Sequence, residues 1–172
     1  MRWIWIDRLE IFEPGKRALA IKNVSLAEDH LHDHFPGFYV MPASLMIEGM
    51  AQTSGILVGD QRDFKEKVIL AKIGRANFQR IVRPGEQIVY DANVIQISEA
   101  GAAIQGHIRV RPGAGQSEQP VGEVEMMFSH IDQNMTGMKF PEFNFVFNSR
   151  FMALFENIRR DINVPLDDAR QE

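Results

Sequence analysis

The fold is decided by residues 34–58, which read HFPGFYVMPASLMIEGMAQTSGILV. Pro36 and Pro42 keep the first part of this stretch out of regular helix, because proline lacks an amide N–H and fixes its own φ angle. Pro42 also suits the first turn of a helix, so we predict a helix from residue 43 to about residue 58. Apolar and small residues occupy most positions of that helix, which predicts that it is buried rather than amphipathic.

Segments with strand character lie on both sides of this helix in the sequence. They are rich in β-branched and aromatic residues, and turn-forming stretches such as RPGE at residues 83–86 separate them. We predict strands at residues 3–12, 17–25, 67–82, 87–98, 103–111 and 121–132, with 67–82 forming one or two strands, and a loop at 27–37. Strands around a single buried helix indicate an α+β fold.

The sequence after residue 132 differs in composition from the part before it. Phenylalanines lie close together at positions 140, 143, 145 and 147, and residues 151–162 fit a short amphipathic helix. We therefore divide the chain into a main domain, residues 1–132, and a C-terminal extension, residues 133–172. The extension is expected to pack on the main domain, because exposed aromatic residues at this density promote aggregation. A lid or an oligomer contact is the alternative.

Composition restricts the class of protein. The 172 residues, 45% of them hydrophobic, suit one globular domain with an appendage. The formal net charge of −4 is unlike the basic surplus of nucleic-acid-binding proteins. Without cysteine there is no disulfide, no thiolate zinc site and no cysteine nucleophile. Residues 1–12 lack the features of a secretory signal, and no stretch is apolar over the length of a transmembrane helix, so we expect a soluble, cytoplasmic protein without a membrane span.

His34 and Glu48 are the residues best suited to proton transfer. A carboxylate in an apolar helix is costly unless it is protonated, paired or hydrogen-bonded, and burial favours the protonated form that a general acid requires. Histidine titrates near neutral pH and is the commonest general base. We therefore expect a catalytic pair. Alternatively, Glu48 is exposed on the solvent-facing side of the helix, and His34 is a loop residue hydrogen-bonded to nearby backbone.

A zinc site is the competing interpretation of the same segment. His30, His32 and His34 alternate, so in a strand their imidazoles would share one face, and Asp29 and Asp33 lie beside them. The polar surroundings of these residues favour a loop rather than a strand, which weakens the zinc hypothesis.

Several motifs together resemble those of 3-hydroxyacyl-acyl carrier protein dehydratases. HFPG at residues 34–37, Met41-Pro42, and EGMAQ at residues 48–52 are similar to the family signature HFPG...P...EAMAQ, with glutamate where the isomerase type has aspartate. The interval between His34 and Glu48 matches the family spacing. The stretch FQRIVRPGE at residues 78–86 resembles the family's FxRxVxPGD. The resemblance covers residues 4–132.

The resemblance implies a hot-dog fold, in which a long antiparallel sheet wraps around the central helix. It implies a homodimer as the minimal unit, with a trimer of dimers as the larger option. In this family the active site lies at the dimer interface, and its histidine and glutamate come from different subunits. The expected partner is acyl carrier protein bearing a 3-hydroxyacyl chain, and no metal or organic cofactor is required.

The family mechanism assigns roles to the two proposed catalytic residues. His34 would remove the proton at C2 of the 3-hydroxyacyl thioester, and protonated Glu48 would protonate the C3 hydroxyl as it leaves. The product would be the trans-2-enoyl thioester of fatty acid or related lipid biosynthesis. A hot-dog acyl thioesterase and a non-catalytic acyl-thioester binding module are the alternatives, and neither would depend on both residues.

Four further residues are expected to hold the substrate or to orient the catalytic groups. The resemblance implies that the Ala43 amide, helped by Gly37, polarises the thioester carbonyl. It also implies that the Val40 carbonyl orients the His34 ring and that Gln52 belongs to the substrate-binding set. Ala43 stands in a triplet that usually contains glycine in the family, so its methyl group would narrow the substrate entrance.

Overall fold

A computed structural model describes residues 4–113, 115–131, 140–159 and 162 of the protein. It contains a six-stranded sheet, one long helix and two shorter helices. The strands are β1 (Arg8–Glu13), β2 (Arg17–Asn23), β3 (Val68–Phe78), β4 (Gln87–Ile97), β5 (Gly101–Arg111) and β6 (Gln119–His130). The helices are α1 (Asp29–His32), α2 (Ala43–Asp60) and α3 (Ser149–Ile158).

The sheet has the strand order β1-β2-β4-β5-β6-β3, and neighbouring strands are antiparallel throughout. Strands β2 and β3 are consecutive in sequence but lie far apart in the sheet, because α2 separates them in the chain. The connection through α2 therefore carries the chain across the sheet, from the side of β1 and β2 to the opposite edge.

Helix α2 packs against the inner face of the sheet and contacts strands β2 to β6. Strand β5 shows why one face of the sheet is apolar, since buried and half-buried positions alternate along its whole length. Ile104, Ile108 and Val110 point inwards and are almost completely buried. Burial of each such side chain contributes about 1.5–3 kcal/mol. The sheet wrapped around a central apolar helix confirms the predicted α+β class and hot-dog fold.

Two glycines allow the helix and the sheet to approach closely. A Cβ atom at Gly49 of α2 would lie 2.4 Å from the Tyr90 ring, and one at Gly106 of β5 would lie 2.6 Å from Met50 Sδ. Gly49 replaces the alanine of the family signature, and the space it leaves is filled by Tyr90. The Tyr90 ring is fully buried, which raises the pKa of its hydroxyl well above the usual value.

The described part of the C-terminal extension packs against the same core. Phe147, Phe151, Phe155 and Ile158 are all buried within the main hydrophobic cluster. Asn148 caps the start of α3 by accepting a hydrogen bond from the Phe151 amide at 3.0 Å. Residues 160, 161 and 163–172, which include part of the predicted helix, lie outside the described residues.

Several predicted boundaries are corrected by the structure. The first strand begins at Arg8 rather than at residue 3, and the predicted strand region 67–82 contains one strand, β3, which runs from Val68 to Phe78. The predicted loop at 27–37 contains the short helix α1. The Ser25 amide donates to the Glu28 carboxylate at 3.0 Å and closes the turn before this helix, whose N-cap residue is Glu28. Leu31 then anchors the helix in the core.

None of the helices in the described ranges is long and apolar enough to cross a membrane.

Substitution of Gly49 by alanine is expected to lower the free energy of unfolding by about 1–3 kcal/mol, because the added methyl group would overlap the Tyr90 ring. The matched control is Gly55→Ala in the same helix, where the new Cβ would meet Phe128 at an ordinary 3.7 Å. That control should be neutral or stabilising by up to about 1 kcal/mol. Denaturant unfolding measures both, and equal stability of the two variants would contradict the packing described.

Candidate active site

The segment HFPG forms a tight turn. The Phe38 amide donates to the Phe35 carbonyl at 2.9 Å, and the Phe35 amide donates to the Phe38 carbonyl at 3.2 Å. Pro36 and Gly37 occupy the two central positions, and Gly37 has a φ of 77°. Proline followed by a residue with positive φ is the pattern of a type II turn. The peptide bond between His34 and Phe35 is cis.

His34 lies at the start of this turn and is half-buried. Its ring stacks on the Phe35 ring with 4.3 Å between centroids. The Val40 amide donates to the His34 carbonyl at 3.2 Å, which fixes the backbone on both sides of the turn. This bond joins backbone atoms. The orientation of the His34 ring by the Val40 carbonyl therefore remains a prediction.

Glu48 projects from the second turn of α2 and is exposed in the single chain. The prediction that its carboxyl is buried is therefore wrong for one chain, because the sheet of the same chain covers the opposite side of α2. Gln52, one helical turn further on, donates from Nε2 to Glu48 Oε1 at 2.9 Å. The Trp5 amide in turn donates to Gln52 Oε1 at 2.9 Å. Gln52 thus links the Glu48 carboxylate to the backbone that precedes β1.

A cavity of about 180 Å³ extends from Glu48 and Gln52 along α2. These two residues are the only polar side chains among the described residues that line it. The remaining walls are apolar and come from the segment before β1, from α2, from β3 and β6, and from the extension. An apolar cavity with a carboxylate at one end is suited to a ligand that has an apolar chain and a polar head.

Ala43 and Gly37 are the residues whose backbone amides the sequence predicts to polarise the substrate carbonyl. Ala43 is the first residue of the helix and is exposed, and its amide donates to no acceptor among the described residues. The first amides of a helix have no partner within it, and together with the helix dipole they attract negative charge. Gly37 is also exposed, and nothing lies within 4 Å of where its side chain would be.

His34 and Glu48 do not meet within one chain. Glu48 lines the cavity and His34 does not. Among the described residues, no hydrogen bond or ion pair joins the imidazole to the carboxylate. The sequence identified two residues with suitable chemistry, but a single chain does not assemble them into one site.

The three histidines of the zinc hypothesis point to different surroundings because His30 and His32 lie in the short helix α1 rather than in a strand. His30 packs edge-on against Trp5 with 4.9 Å between centroids, and burial lowers the pKa of its imidazole. His32 Nε2 lies 2.9 Å from the Leu26 carbonyl. Within the part of the chain that the structure describes, no three histidine or acidic side chains converge on a metal position.

Comparison with known proteins identifies the family. The sequence profile of the FabA-like domain matches residues 3–111. A 3-hydroxyacyl-[acyl-carrier-protein] dehydratase FabZ from Caldanaerobacter subterraneus subsp. tengcongensis is 33% identical over 127 residues, which cover 73% of this chain and 86% of the relative. The protein of the same name from Clostridium kluyveri is 33% identical over 133 residues, covering 77% and 88% of the two chains.

Solved structures share the fold at low sequence identity. The smu.793 protein of Streptococcus mutans UA159, solved with acetyl CoA, superposes with a TM-score of 0.56 at 13% identity, covering 72% of this chain and 86% of the other. The E. coli PaaI protein of the phenylacetic acid degradation operon gives a TM-score of 0.56 at 12% identity, covering 73% and 79%. The antiparallel sheet around α2 and these structural matches define a hot-dog-fold protein. The chain belongs to the FabA-like family.

Two features of the site were not found by sequence reasoning. The first is the link from Trp5 through Gln52 to Glu48, although the spacing of four residues between Gln52 and Glu48 is the helical spacing at which side chains meet. The second is which residues of the extension line the cavity, because that depends on tertiary packing.

Replacement of Gly37 by alanine should lower the free energy of unfolding by about 1–2 kcal/mol, because a residue with a Cβ is strained at positive φ. There is open space around the position, so strain is the only expected cost. Gly37→Asn is the matched variant and should lower the free energy of unfolding less than Gly37→Ala, since asparagine tolerates a positive φ angle. Denaturant titration compares the two. An alanine variant as stable as the wild type would contradict the turn geometry.

Proposed function

We propose that this protein removes water from 3-hydroxyacyl thioesters carried on acyl carrier protein, producing trans-2-enoyl thioesters in the synthesis of fatty acids or related lipids. The observation that carries the proposal is the Glu48 carboxylate, which Gln52 holds at the polar end of an apolar cavity. The FabZ dehydratases named above, about one third identical over most of this chain, support the reaction class.

In the proposed mechanism His34 takes the proton from C2 of the substrate. The electrons of that C–H bond form the double bond between C2 and C3 while the bond from C3 to its oxygen breaks. Protonated Glu48 donates its proton to the departing hydroxyl, which leaves as water. The imidazolium and the carboxylate that result return to their starting states when His34 releases a proton to solvent and Glu48 takes one up. General acid–base catalysis of this kind contributes about 10²–10⁴-fold in rate.

Backbone amides would stabilise the negative charge that develops on the thioester oxygen as the C2 proton leaves. The free Ala43 amide at the start of α2 supports this assignment, with Gly37 as a second donor. Preorganised donors at such a position act without reorganisation during the reaction. The Val40 carbonyl is proposed to orient the His34 ring, and Gln52 is proposed to position the Glu48 carboxylate as well as to contact substrate.

A homodimer is the assembly we propose, with a trimer of dimers as its larger form. Strand β3 supports it, because this strand of eleven residues is the terminal strand of the sheet and is exposed along most of its length. Long exposed edge strands are templates for pairing with another chain. In a dimer, the exposed Glu48 of one subunit would meet His34 of the other. The site would then be complete only at the interface.

Acyl carrier protein is the proposed partner, since the substrate reaches the relatives named above on that carrier, as their name states. The pantetheine arm would come with the substrate, and no metal or organic cofactor enters the proposed mechanism. The cytoplasmic location expected from the sequence remains part of this proposal.

Hydration of a trans-2-enoyl pantetheine thioester, the reverse reaction, tests the proposed function. The purified protein should cause loss of the conjugated enoyl absorbance. His34→Ala and Glu48→Gln should each reduce kcat/KM by about a hundredfold or more, because each removes one proton-transfer group. His32→Ala and Asp60→Asn are matched controls in α1 and α2 that should retain activity.

The same variants separate the alternatives. A thioesterase would release free thiol from the enoyl or saturated thioester and would not depend on His34. A binding module would retain the thioester unchanged. Folded protein that hydrates no chain length, or a His34→Ala variant with full activity, would contradict the proposed dehydration.

A further inference from the structure

The C-terminal extension supplies one wall of the cavity that begins at Glu48. Val146, Phe147, Phe151, Leu154 and Ile158 line this wall. The match to the FabA-like domain ends at residue 111, so none of these residues belongs to the part of the chain that defines the family. The shape of the cavity is therefore partly a property of this chain and not of the family fold.

The extension is held in place by the hydrogen bonds of the half-buried Asn144 side chain. The Asn144 side chain donates from Nδ2 to the carbonyls of Phe64 at 3.0 Å and Glu66 at 3.1 Å. Its Oδ1 accepts from the amides of Val146 at 3.0 Å and Phe147 at 2.9 Å. One side chain thus fixes the start of the extension to the loop that joins α2 to β3.

Aromatic packing fixes the rest of the wall. The Phe64 ring lies 5.1 Å from the Phe147 ring and 5.0 Å from the Phe155 ring, both nearly perpendicular to it, and Phe12 of β1 meets Phe155 at 5.9 Å. A Cβ at Gly59 would lie 2.5 Å from the Phe147 ring, so the absence of a side chain at Gly59 leaves the space that this ring occupies. The wall is consequently a packed part of the core.

The opposite wall is formed by small residues of α2. Ala51 and Gly55 line the cavity on the same side of the helix as Glu48, and Ile56 lines it further on. From Glu48 to Ile56 the helix rises about 12 Å. The small side chains leave a channel between α2 and α3 that starts at the carboxylate and is apolar beyond Gln52.

We propose that the extension closes the acyl pocket and that Leu154 and Phe151 limit the length of the acyl chain the enzyme accepts. The proposed occupant is the hydrocarbon tail of the thioester substrate, because the cavity extends from Glu48, the proposed proton donor, as an apolar channel along α2. This inference rests on the proposed function, and it assigns the choice of substrate to residues outside the family match.

The test compares kcat/KM for hydration of short-chain and long-chain trans-2-enoyl pantetheine thioesters. In Leu154→Ala, the ratio of kcat/KM for long chains to that for short chains should rise about tenfold or more, since a few methylene groups in an apolar pocket change discrimination by that order. Leu154→Phe should shift the ratio in the opposite direction.

Met152→Ala is the matched control. Met152 is half-buried on the same helix and packs on the same core, but it does not line the cavity. Met152→Ala should lower the free energy of unfolding about as much as Leu154→Ala does. It should leave the ratio of kcat/KM for long chains to that for short chains unchanged. An unchanged ratio in both Leu154 variants, or an equal shift in the Met152 variant, would overturn the inference.

A binding measurement distinguishes failure of this inference from failure of the proposed function. Calorimetric titration with saturated acyl-pantetheine thioesters of increasing length does not depend on hydration. If the wild type hydrates enoyl thioesters but the Leu154 variants change neither hydration nor the length dependence of affinity, only the inference fails. If the wild type hydrates none of them while the affinity still depends on Leu154, the proposed reaction fails and the pocket assignment stands.

Discussion

Close packing of α2 against the inner face of the sheet is the interaction on which the rest of the structure depends. The helix is apolar on nearly all sides, so it is stable only where strands cover it. Gly49 lets the backbone of α2 approach the Tyr90 ring. Gly106 of β5 lets Met50 of α2 pack against that strand. The same packing determines which residues of α2 face away from the sheet, and Glu48 is one of them.

The position of Glu48 connects the fold to the chemistry. In one chain the carboxylate is exposed, is held by Gln52, and faces the apolar cavity rather than His34. In the dimer that we propose, a second subunit paired through the exposed edge strand β3 would bring its own His34 to Glu48 and exclude water from the carboxylate. Exclusion of water strengthens the electrostatic interactions on which proton transfer depends. The proposed dimer would account both for the separation of His34 from Glu48 in one chain and for the exposed edge of β3.

The sequence was sufficient to predict the central features. The run of apolar residues after Pro42 predicted α2, alternating patterns predicted most strands, and the HFPG and EGMAQ motifs located His34 and Glu48. Strand boundaries differed by a few residues because the ends of strands are set by pairing partners, which local patterns do not contain. The helix α1 was predicted as loop because it is only four residues long and polar, and its N-cap residue, Glu28, makes no side-chain capping hydrogen bond.

The remaining features depend on contacts between distant residues. The exposure of Glu48 follows from which side of α2 the sheet covers, and an apolar helical pattern does not specify that side. The hydrogen bond from Trp5 to Gln52 joins residues far apart in sequence. The wall formed by α3 depends on Asn144 and on the rings around Phe64, which could be recognised only once the loop after α2 was placed.

Activity of mixed dimers tests most directly the claim that His34 and Glu48 act across a subunit interface. His34→Ala and Glu48→Gln chains, each inactive alone, would be co-expressed with different tags, and the mixed dimer would be isolated. If each site takes His34 from one chain and Glu48 from the other, one site of each mixed dimer contains both intact residues and the other site contains neither. Roughly half of the wild-type activity per dimer should therefore return. If both residues of a site came from one chain, every site would retain one defect. A mixed dimer as inactive as its parents would contradict the account.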